Sequence, residues 1–329
     1  MNTNETGVER RVVVLGTGGT IAGRASAAGD NIGYTAAQVG VADLLGGIEA
    51  PAGVSLVAEQ VAQVDSKDMT HAIWQALAAR CAYWLAQDEV AGIAITHGTD
   101  TLEETAYVLH AVLRPGKPVV LTCAMRPATA LAPDGPQNVR DAIAVAATPG
   151  AQGVTVVCAG TVHGAIDVQK VHTYRLDAFA SGDAGAIGYV EQGAVRRVRP
   201  WPAGGEQASP ALPDLALPWP RVEIVVSHAG ASGAVIDALL SAGTTGGNAG
   251  PLRGIVLAAT GNGTLHADIE AAAERAERAG VRVLRATRCL AGRILPRPDD
   301  RFRDAGGLGP MKARIALMLE LMGLPAAGA

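Results

Sequence analysis

Two segments of the sequence carry threonine and glycine directly after runs of apolar residues. The first, TGGT at Thr17–Thr20, follows Val12–Leu15, and the second, THGTD at Thr96–Asp100, follows Gly92–Ile95. A threonine hydroxyl attacks a carbonyl carbon when a base removes its proton, and glycine lets backbone N–H groups approach a substrate closely. Ligands of open parallel α/β sheets bind at the carboxyl ends of the strands. Both segments are therefore predicted to face one cavity, with the groups typical of a nucleophilic amidohydrolase.

A second set of residues could activate a hydroxyl group. Thr99 and Asp100 lie at the start of a predicted helix, and Lys170 follows the fifth predicted strand. A lysine that is desolvated beside a threonine can lose its proton and act as a base, so these three residues are predicted to form a relay. The backbone N–H groups of Gly98 and Thr99 could hold an oxyanion. His97 can equally be catalytic or a structural, hydrogen-bonded histidine.

Two other catalytic or binding patterns are incomplete in this sequence. Gly16 and Gly18 fit a dinucleotide-binding fingerprint, but Ile21 stands where its last glycine belongs, and Gln60 stands where an acidic residue would bind ribose. The segment Gly230–Ala234 lacks the final glycine of a nucleophile elbow. We interpret that segment as a loop leading to a helix.

Composition and charge exclude several classes of protein. The net charge is −4 and basic residues form no stripe, which argues against nucleic-acid binding. No apolar run reaches the roughly 18 residues of a membrane span, and residues 1–9 do not resemble a secretory signal. The four cysteines form no C-x-x-C pair, so we expect buried free thiols, a cytoplasmic location, no metal site and no cofactor. They are Cys81, Cys123, Cys158 and Cys289.

The periodicity of apolar residues predicts an α/β fold with a doubly wound sheet. Helices are predicted at 68–86 and 101–113, the second with a capping box formed by Thr101 and Glu104. A hairpin is predicted at Val190–Val195, and the Ala- and Gly-rich segment 22–33 is predicted to be a mobile loop. Buried parallel strands are predicted at 11–15, 54–58, 92–96, 118–123 and 153–158.

Proline content indicates where the domains meet. Six prolines lie between residues 200 and 220, which prevents a long helix there. We predict an N-terminal domain at 1–200, a linker at 201–220 and a smaller α/β domain at 221–329. In the second domain, strands are predicted near 222–226, 254–259 and 281–285, and helices near 233–242, 265–279 and 311–322.

Taken together, these segments resemble the bacterial-type L-asparaginases and glutaminase-asparaginases over nearly the whole chain. The similar segments are Thr17–Ala22, Tyr34–Thr35, Asp65–Met69, Thr96–Thr105, Ala124–Pro127, Asp134–Asn138, Asp167–Lys170 and Gly261–Gly263. The resemblance implies a larger N-terminal flavodoxin-like domain with a mostly parallel sheet, a smaller C-terminal α/β domain, and a homotetramer built as a dimer of dimers. It also implies that Thr20 is the nucleophile and that Tyr34 on a mobile loop is its partner.

The resemblance assigns the remaining site residues as well. Thr99, Asp100 and Lys170 resemble the second triad, which activates an alcohol or water. Ser66 and Asp100 resemble the groups that bind the α-carboxylate and α-ammonium of a small amino-acid amide, which fits the need of a zwitterion for both donors and acceptors. Asn262 resembles the residue that reaches the site of a neighbouring subunit.

Two departures from the family pattern bear on substrate preference. Lys67 stands where the family mostly has Gln, so a cation is expected beside the substrate carboxylate. The late loop Ala291–Asp300 has no Glu to meet the substrate amine, and Asp299 or Asp300 could replace it. The segment Arg114–Lys117 lacks the cysteine of the periplasmic disulfide, which favours the cytoplasm.

Three functions are compatible with the sequence. The first is hydrolysis of asparagine to aspartate and ammonia, with glutamine as a possible second substrate. The second is an ammonia-donating subunit of a tRNA-dependent amidotransferase, which would need an additional N-terminal module. The third is a non-catalytic amino-acid-binding module, which would have no need of Thr20, Thr99 and Lys170 together.

Overall fold

The computed structural model describes residues 10–27, 29–203, 214–216, 218–242 and 250–324. The chain divides into two compact units, residues 1–212 and 213–329. The strands are β1 (Arg10–Gly18), β2 (Arg24–Ala25), β3 (Tyr34–Thr35), β4 (Val54–Val64), β5 (Val90–Thr96), β6 (Pro118–Thr122), β7 (Gly153–Cys158), β8 (Thr161–Gly164), β9 (Gln169–Lys170), β10 (Phe179–Ala180), β11 (Gly188–Glu191), β12 (Ala194–Arg197), β13 (Arg221–Val226), β14 (Leu252–Ala259) and β15 (Arg282–Thr287). The α-helices are α1 (Val41–Leu44), α2 (His71–Leu85), α3 (Leu102–Leu113), α4 (Gly135–Ala147), α5 (Ala234–Ala242), α6 (Ala267–Arg278) and α7 (Pro310–Leu321).

The first unit is built on an eight-stranded sheet in the order β12-β11-β8-β7-β6-β5-β1-β4. The five strands from β4 to β7 in that order are parallel, and β8, β11 and β12 continue the sheet in antiparallel pairs. All five predicted parallel strands and the predicted hairpin are present. The larger, mostly parallel sheet predicted from the sequence is therefore confirmed.

Burial on both faces of the sheet explains why its central strands are continuously apolar. On one face, Val12 and Val14 of β1 share a core with Val139 and Ile143 of α4. Each such side chain contributes about 1.5–3 kcal/mol when it is fully buried. This packing holds the carboxyl ends of β1 and β5 side by side, where the threonine segments begin.

One local prediction for the first unit needs correction, and another stays a prediction. The Thr101 hydroxyl does not cap its own helix, as the predicted capping box requires, and it donates instead to Ser66 O (2.7 Å). The mobility predicted for segment 22–33 is not tested. The segment predicted as a mobile loop contains β2, which pairs with β3 and whose Ala25 N donates to Thr129 Oγ1 (2.8 Å). Ala28, in the same segment, lies outside the described residues.

The second unit contains the parallel sheet β13-β14-β15 with α5, α6 and α7. Every strand and helix predicted for this part of the chain is present, and α7 begins at Pro310, as its fixed φ favours. Ile255 and Leu257 of β14 share a core with Ile269 of α6. Much of the predicted linker (204–213 and residue 217) lies outside the described residues, and Trp201 at its start is buried in the core of the first unit.

Candidate active site

Thr20, the last residue of the TGGT segment, lies in a short helical turn that follows the end of β1. Gly18 and Gly19 adopt positive φ angles (102° and 84°), and the chain then forms a 3-10 turn over Thr20–Ala22. The Thr20 side chain is buried, and its Oγ1 is 2.6 Å from Tyr34 Oη, with either oxygen able to donate. The structure thus brings together Thr20 and Tyr34, which the family resemblance implies to be the nucleophile and its partner. Tyr34 belongs to β3, which pairs with β2.

The two threonine segments are in direct contact. A Cβ atom on Gly19 would overlap the backbone of Gly98, so only glycine fits there. Next to this contact, Gly16 and Thr96 are paired in neighbouring strands, and Thr17 Oγ1 donates to Thr96 O (2.9 Å). The carboxyl ends of β1 and β5 therefore bring the two hydroxyl-bearing segments into contact with each other. That both segments face one cavity stays a prediction.

The second set consists of Thr99, Asp100 and Lys170. Lys170 Nζ donates to Thr99 Oγ1 (2.7 Å) and to Asp100 Oδ1 (2.6 Å). Thr99 is buried, whereas the Asp100 side chain is 54% exposed. The lysine thus links a buried hydroxyl to a carboxylate that remains open to solvent and to a ligand.

Ser66 lies against the same segment. It is buried, its Oγ accepts from Asp100 N (3.1 Å), and a Cβ on Gly98 would lie 2.5 Å from that oxygen. Ser66 therefore adjoins Asp100, the other residue predicted to bind the amino-acid end of a substrate. Lys67, the next residue, is 61% exposed and forms an ion pair with Asp68, and the hydrogen bond from Lys67 to Asp68 raises the pKa of the lysine.

His97 belongs to a buried chain of hydrogen bonds. Trp74 Nε1 donates to Thr105 Oγ1 (2.9 Å), which is 2.9 Å from His97 Nε2, and His97 Nδ1 is 2.7 Å from Gly98 O. The carbonyl can only accept, so Nδ1 carries the proton and Nε2 accepts from Thr105. Burial lowers the pKa of His97 to about 4. A neutral histidine that orients the Gly98 peptide favours the structural interpretation over the catalytic one.

The predicted site residue Asn262 lies in the second unit. Its Nδ2 donates to Leu295 O (3.2 Å), and its Oδ1 accepts from Leu295 N (2.7 Å). This double hydrogen bond fixes the amide on the late loop that contains Asp299 and Asp300. Its role in a neighbouring subunit's site stays a prediction.

Of the two aspartates proposed to replace the missing Glu, Asp300 has another role. It forms an ion pair with Arg285 (2.6 Å) and accepts from Arg297 N (2.8 Å), and the hydrogen bond from Arg285 lowers the pKa of Asp300. The carboxylate of Asp300 is therefore already engaged by Arg285 and Arg297 within the second unit. Asp299 remains the candidate to replace the missing Glu at the substrate amine.

Two arrangements near the site were missed by sequence reasoning. Glu103 Oε2 accepts from Lys170 N (2.6 Å); the only available signal was an acidic residue in the first turn of the helix that follows Thr99 and Asp100. Cys123 and Cys158, predicted only as buried free thiols, have their Sγ atoms 3.2 Å apart. Their mutual hydrogen bond and burial raise the pKa of Cys123. Cys289, by contrast, is exposed, so its predicted burial is wrong.

The described residues show neither a metal-binding cluster nor a membrane-spanning element. Among them, no group of three or more His, Cys, Asp or Glu side chains is placed to hold a metal ion. Within the same ranges, no helix combines the length and apolarity that crossing a membrane requires.

Comparison with known proteins identifies relatives along almost the entire chain. Residues 11–202 match the family model described as Asparaginase, N-terminal, and residues 221–323 match the Glutaminase/Asparaginase C-terminal domain. The chain is 35% identical to L-asparaginase 2 of Bacillus subtilis (strain 168), over 94% of this chain and 81% of the relative. It is 34% identical to the glutaminase-asparaginase of Pseudomonas fluorescens biotype A, over 94% and 86% of the two chains.

A solved structure is similar along the same length. The crystal structure of the probable cytoplasmic L-asparaginase from Campylobacter jejuni matches with a TM-score of 0.84 and 34% sequence identity, and the match covers 95% of each chain. Fold and sequence thus agree with each other over both units.

Proposed function

The chain belongs to the asparaginase family of amidohydrolases, and on that premise we propose that it is an L-asparaginase, which hydrolyses the side-chain amide of asparagine to aspartate and ammonia. The observation that carries the proposal is that two hydrogen-bonded hydroxyl groups lie on segments that are in direct contact. Thr20 with Tyr34, and Thr99 with Lys170 and Asp100, lie on segments whose backbones touch at Gly19 and Gly98.

In the proposed reaction, Thr20 is the nucleophile. Its Oγ1 attacks the side-chain carbonyl carbon of the substrate, and its proton leaves along the hydrogen bond to Tyr34 Oη (2.6 Å). Protonation of the amide nitrogen allows the C–N bond to break, so ammonia departs and an aspartyl ester remains on Thr20. Water then attacks the ester, which releases aspartate and restores the hydroxyl.

Thr99, Lys170 and Asp100 form the proposed relay for the steps that need a base. With its amine neutral, Lys170 can accept a proton from Thr99 Oγ1 across the 2.7 Å contact. The carboxylate of Asp100, 2.6 Å from Nζ, then stabilises the ammonium group that forms. The relay can thereby activate the alcohol or the water of hydrolysis.

The substrate's zwitterionic end is proposed to bind beside this relay. Ser66 and Asp100 are hydrogen-bonded neighbours, and the exposed oxygen atoms of Asp100 can accept from an α-ammonium group. Lys67 is close enough in sequence to add positive charge near the α-carboxylate once its exposed side chain turns from Asp68. That charge would affect binding more than the chemical step.

Assembly and location extend the same proposal. A homo-oligomer, built as a dimer of dimers, would let Asn262 of one chain complete the site of another. Its amide is already oriented by Leu295. We propose the cytoplasm as the compartment, because the four cysteines are free and the segment Arg114–Lys117 lacks a cysteine.

The experiment that tests the function is ammonia release from the purified protein with L-asparagine, L-glutamine and D-asparagine as separate substrates. We expect turnover of L-asparagine and weaker turnover of L-glutamine, since one similar relative is named a glutaminase-asparaginase. Absence of ammonia release from all three amides would refute the proposal. A higher kcat/KM for L-glutamine would reassign the protein as a glutaminase.

A further inference from the structure

We propose that Glu103 is a positioning residue that holds the backbone of Lys170, so that the lysine amine stays in contact with Thr99 and Asp100. The inference rests on the proposed function, because it assumes that this amine is the base. It concerns a residue that touches neither the substrate nor the reacting atoms. Its effect would reach the reaction only through Lys170.

Both ends of Lys170 are bound to the same short stretch of chain. The backbone N–H donates to Glu103 Oε2 (2.6 Å), and the side-chain Nζ donates to Thr99 Oγ1 (2.7 Å) and Asp100 Oδ1 (2.6 Å). All three acceptors lie between residues 99 and 103. If this stretch moves, Glu103 moves together with Thr99 and Asp100. The distances between the atom that binds the Lys170 backbone and the atoms that bind its amine are therefore preserved.

The remaining support for the Lys170 backbone is small. Strand β9 has two residues and pairs with the two residues of β10, where Lys170 is opposite Phe179. The next two residues, Val171 and His172, both direct their N–H groups to Ala178 O (2.8 and 3.2 Å). A ladder this short gives little resistance to movement, so the hydrogen bond that Lys170 N donates to Glu103 Oε2 (2.6 Å) would add a large share of the local restraint.

The flexibility of lysine makes such an anchor consequential. A lysine side chain has a long four-carbon stem and many rotamers, and holding it in one rotamer costs conformational entropy. If the backbone also moves, the amine can leave its contacts with Thr99 Oγ1 (2.7 Å) and Asp100 Oδ1 (2.6 Å). Displacements of about 1 Å in catalytic groups can lower the rate roughly 10²-fold.

The position of Glu103 also suggests a different explanation that must be separated from this one. Glu103 lies in the first turn of α3, where a carboxylate is favoured by the helix dipole. Its charge could therefore support the helix, or act electrostatically on Lys170, without any need for the specific acceptor. The anchoring role requires an acceptor atom at the reach of a glutamate side chain, whereas the other two roles require only negative charge.

Three variants of Glu103 distinguish a requirement for a hydrogen-bond acceptor from a requirement for a negative charge. Glu103→Gln keeps the reach and the acceptor oxygen but removes the charge, Glu103→Asp keeps the charge but shortens the side chain by one methylene, and Glu103→Ala removes both. We expect Glu103→Gln to retain kcat for asparagine within about threefold. Glu103→Asp and Glu103→Ala should lower kcat by roughly 10- to 100-fold with KM nearly unchanged, since only the positioning of the base is lost.

A second readout does not depend on activity. Acetylation of lysines with acetic anhydride, followed by mass spectrometry, measures how readily the Lys170 amine leaves its partners. We expect Lys170 to be labelled faster in Glu103→Ala than in the wild type or in Glu103→Gln, with Lys67 as an internal control whose rate stays constant. This comparison holds even if the wild type hydrolyses none of the three amides, a result that would refute the proposed function alone.

The proposal would be overturned by either of two results. Wild-type kcat and wild-type labelling of Lys170 in Glu103→Ala would show that no anchor is needed. Near-normal kcat in Glu103→Asp combined with a large loss in Glu103→Gln would show that the charge matters and the acceptor geometry does not.

Discussion

The two threonines of the crevice are held in different ways. Thr20 lies in a three-residue turn, and the described partner of its hydroxyl is Tyr34, which belongs to a two-residue strand. Thr99 contacts Lys170 directly, and the residues flanking it are tied to Ser66 and to the buried Thr105–Trp74 chain. The first arrangement suits a group that must form and break a covalent bond. The second suits a relay whose geometry must not change.

The largest expected effect comes from removing the attacking oxygen. Thr20→Ala should lower kcat for asparagine by at least about 10³-fold, because no other group would form the ester. The change removes only the hydroxyl and one methyl group, so the thermal unfolding midpoint should change little. Ammonia release and thermal unfolding are the measurements. Near-wild-type turnover in Thr20→Ala would show that Thr20 is not the nucleophile, and Thr99 would then be the candidate for that role.

The relay should show strong coupling between its members. Thr99→Val and Lys170→Met should each lower kcat by about 10²- to 10⁴-fold, as expected for loss of general base catalysis. The double variant should lose far less than the product of the two single losses, because both act through the same 2.7 Å contact. Steady-state kinetics of the four proteins give the coupling. Losses that multiply fully would mean that the two residues act independently.

The buried histidine should make the support of the second threonine sensitive to acid. The pKa of His97 falls from 6.5 to about 4 in the fold, since burial disfavours the charged ring. The unfolded chain therefore binds more protons below about pH 6.5, and stability should fall from there to about pH 4, by about 3 kcal/mol in total. Above pH 6.5 this contribution is constant.

Urea unfolding of the wild type and of His97→Gln between pH 4 and pH 8 tests this expectation. The variant should be less stable at neutral pH, because the bonds to Gly98 and Thr105 are disturbed, but its stability should vary less with pH. Parallel pH profiles for the two proteins would show that His97 does not carry the acid sensitivity.

The smallest effect is expected at the exposed rim of the crevice. Lys67→Gln replaces the cation with a neutral side chain. It should change the free energy of substrate binding, measured through KM, by about 1–3 kcal/mol, typical of a hydrogen bond to a charged group, and with it the preference between asparagine and glutamine. The kcat should change less, because Lys67 touches neither threonine system. Unchanged KM values for both amides would place Lys67 outside the binding site. Substrate specificity would then depend on the buried groups of the site.

The strands and helices of both units could be predicted from the sequence because their signals are local. Each parallel strand is a continuous apolar run, and β5 is buried at every position. The N-terminal end of α7 could be predicted from Pro310 for a similar reason. Boundaries were less accurate where tertiary contacts intervene, as at α2, which begins at His71 after a 3-10 turn at Ser66–Asp68.

Side-chain partners could not be predicted in the same way. Thr101 and Glu104 have the spacing of a capping box, but Ser66 O, 35 positions earlier in the sequence, takes the Thr101 hydroxyl. Cys123 and Cys158 are likewise brought together only by the pairing of β6 with β7. Local spacing cannot tell whether a hydroxyl will accept from the N–H groups of its own helix or donate to a distant carbonyl, because a hydroxyl can do either.

The sequence by itself determined the sheet, its strand ends and the residue types that those ends present, because burial and backbone geometry act through near neighbours in the chain. Tertiary structure alone decided that the Thr101 hydroxyl binds Ser66 O and that Lys170 is bound at both ends. Each of these contacts depends on distances of 2–3 Å between elements that are distant in sequence or free to choose among partners. Such distances are set by packing of the whole unit and not by any local pattern.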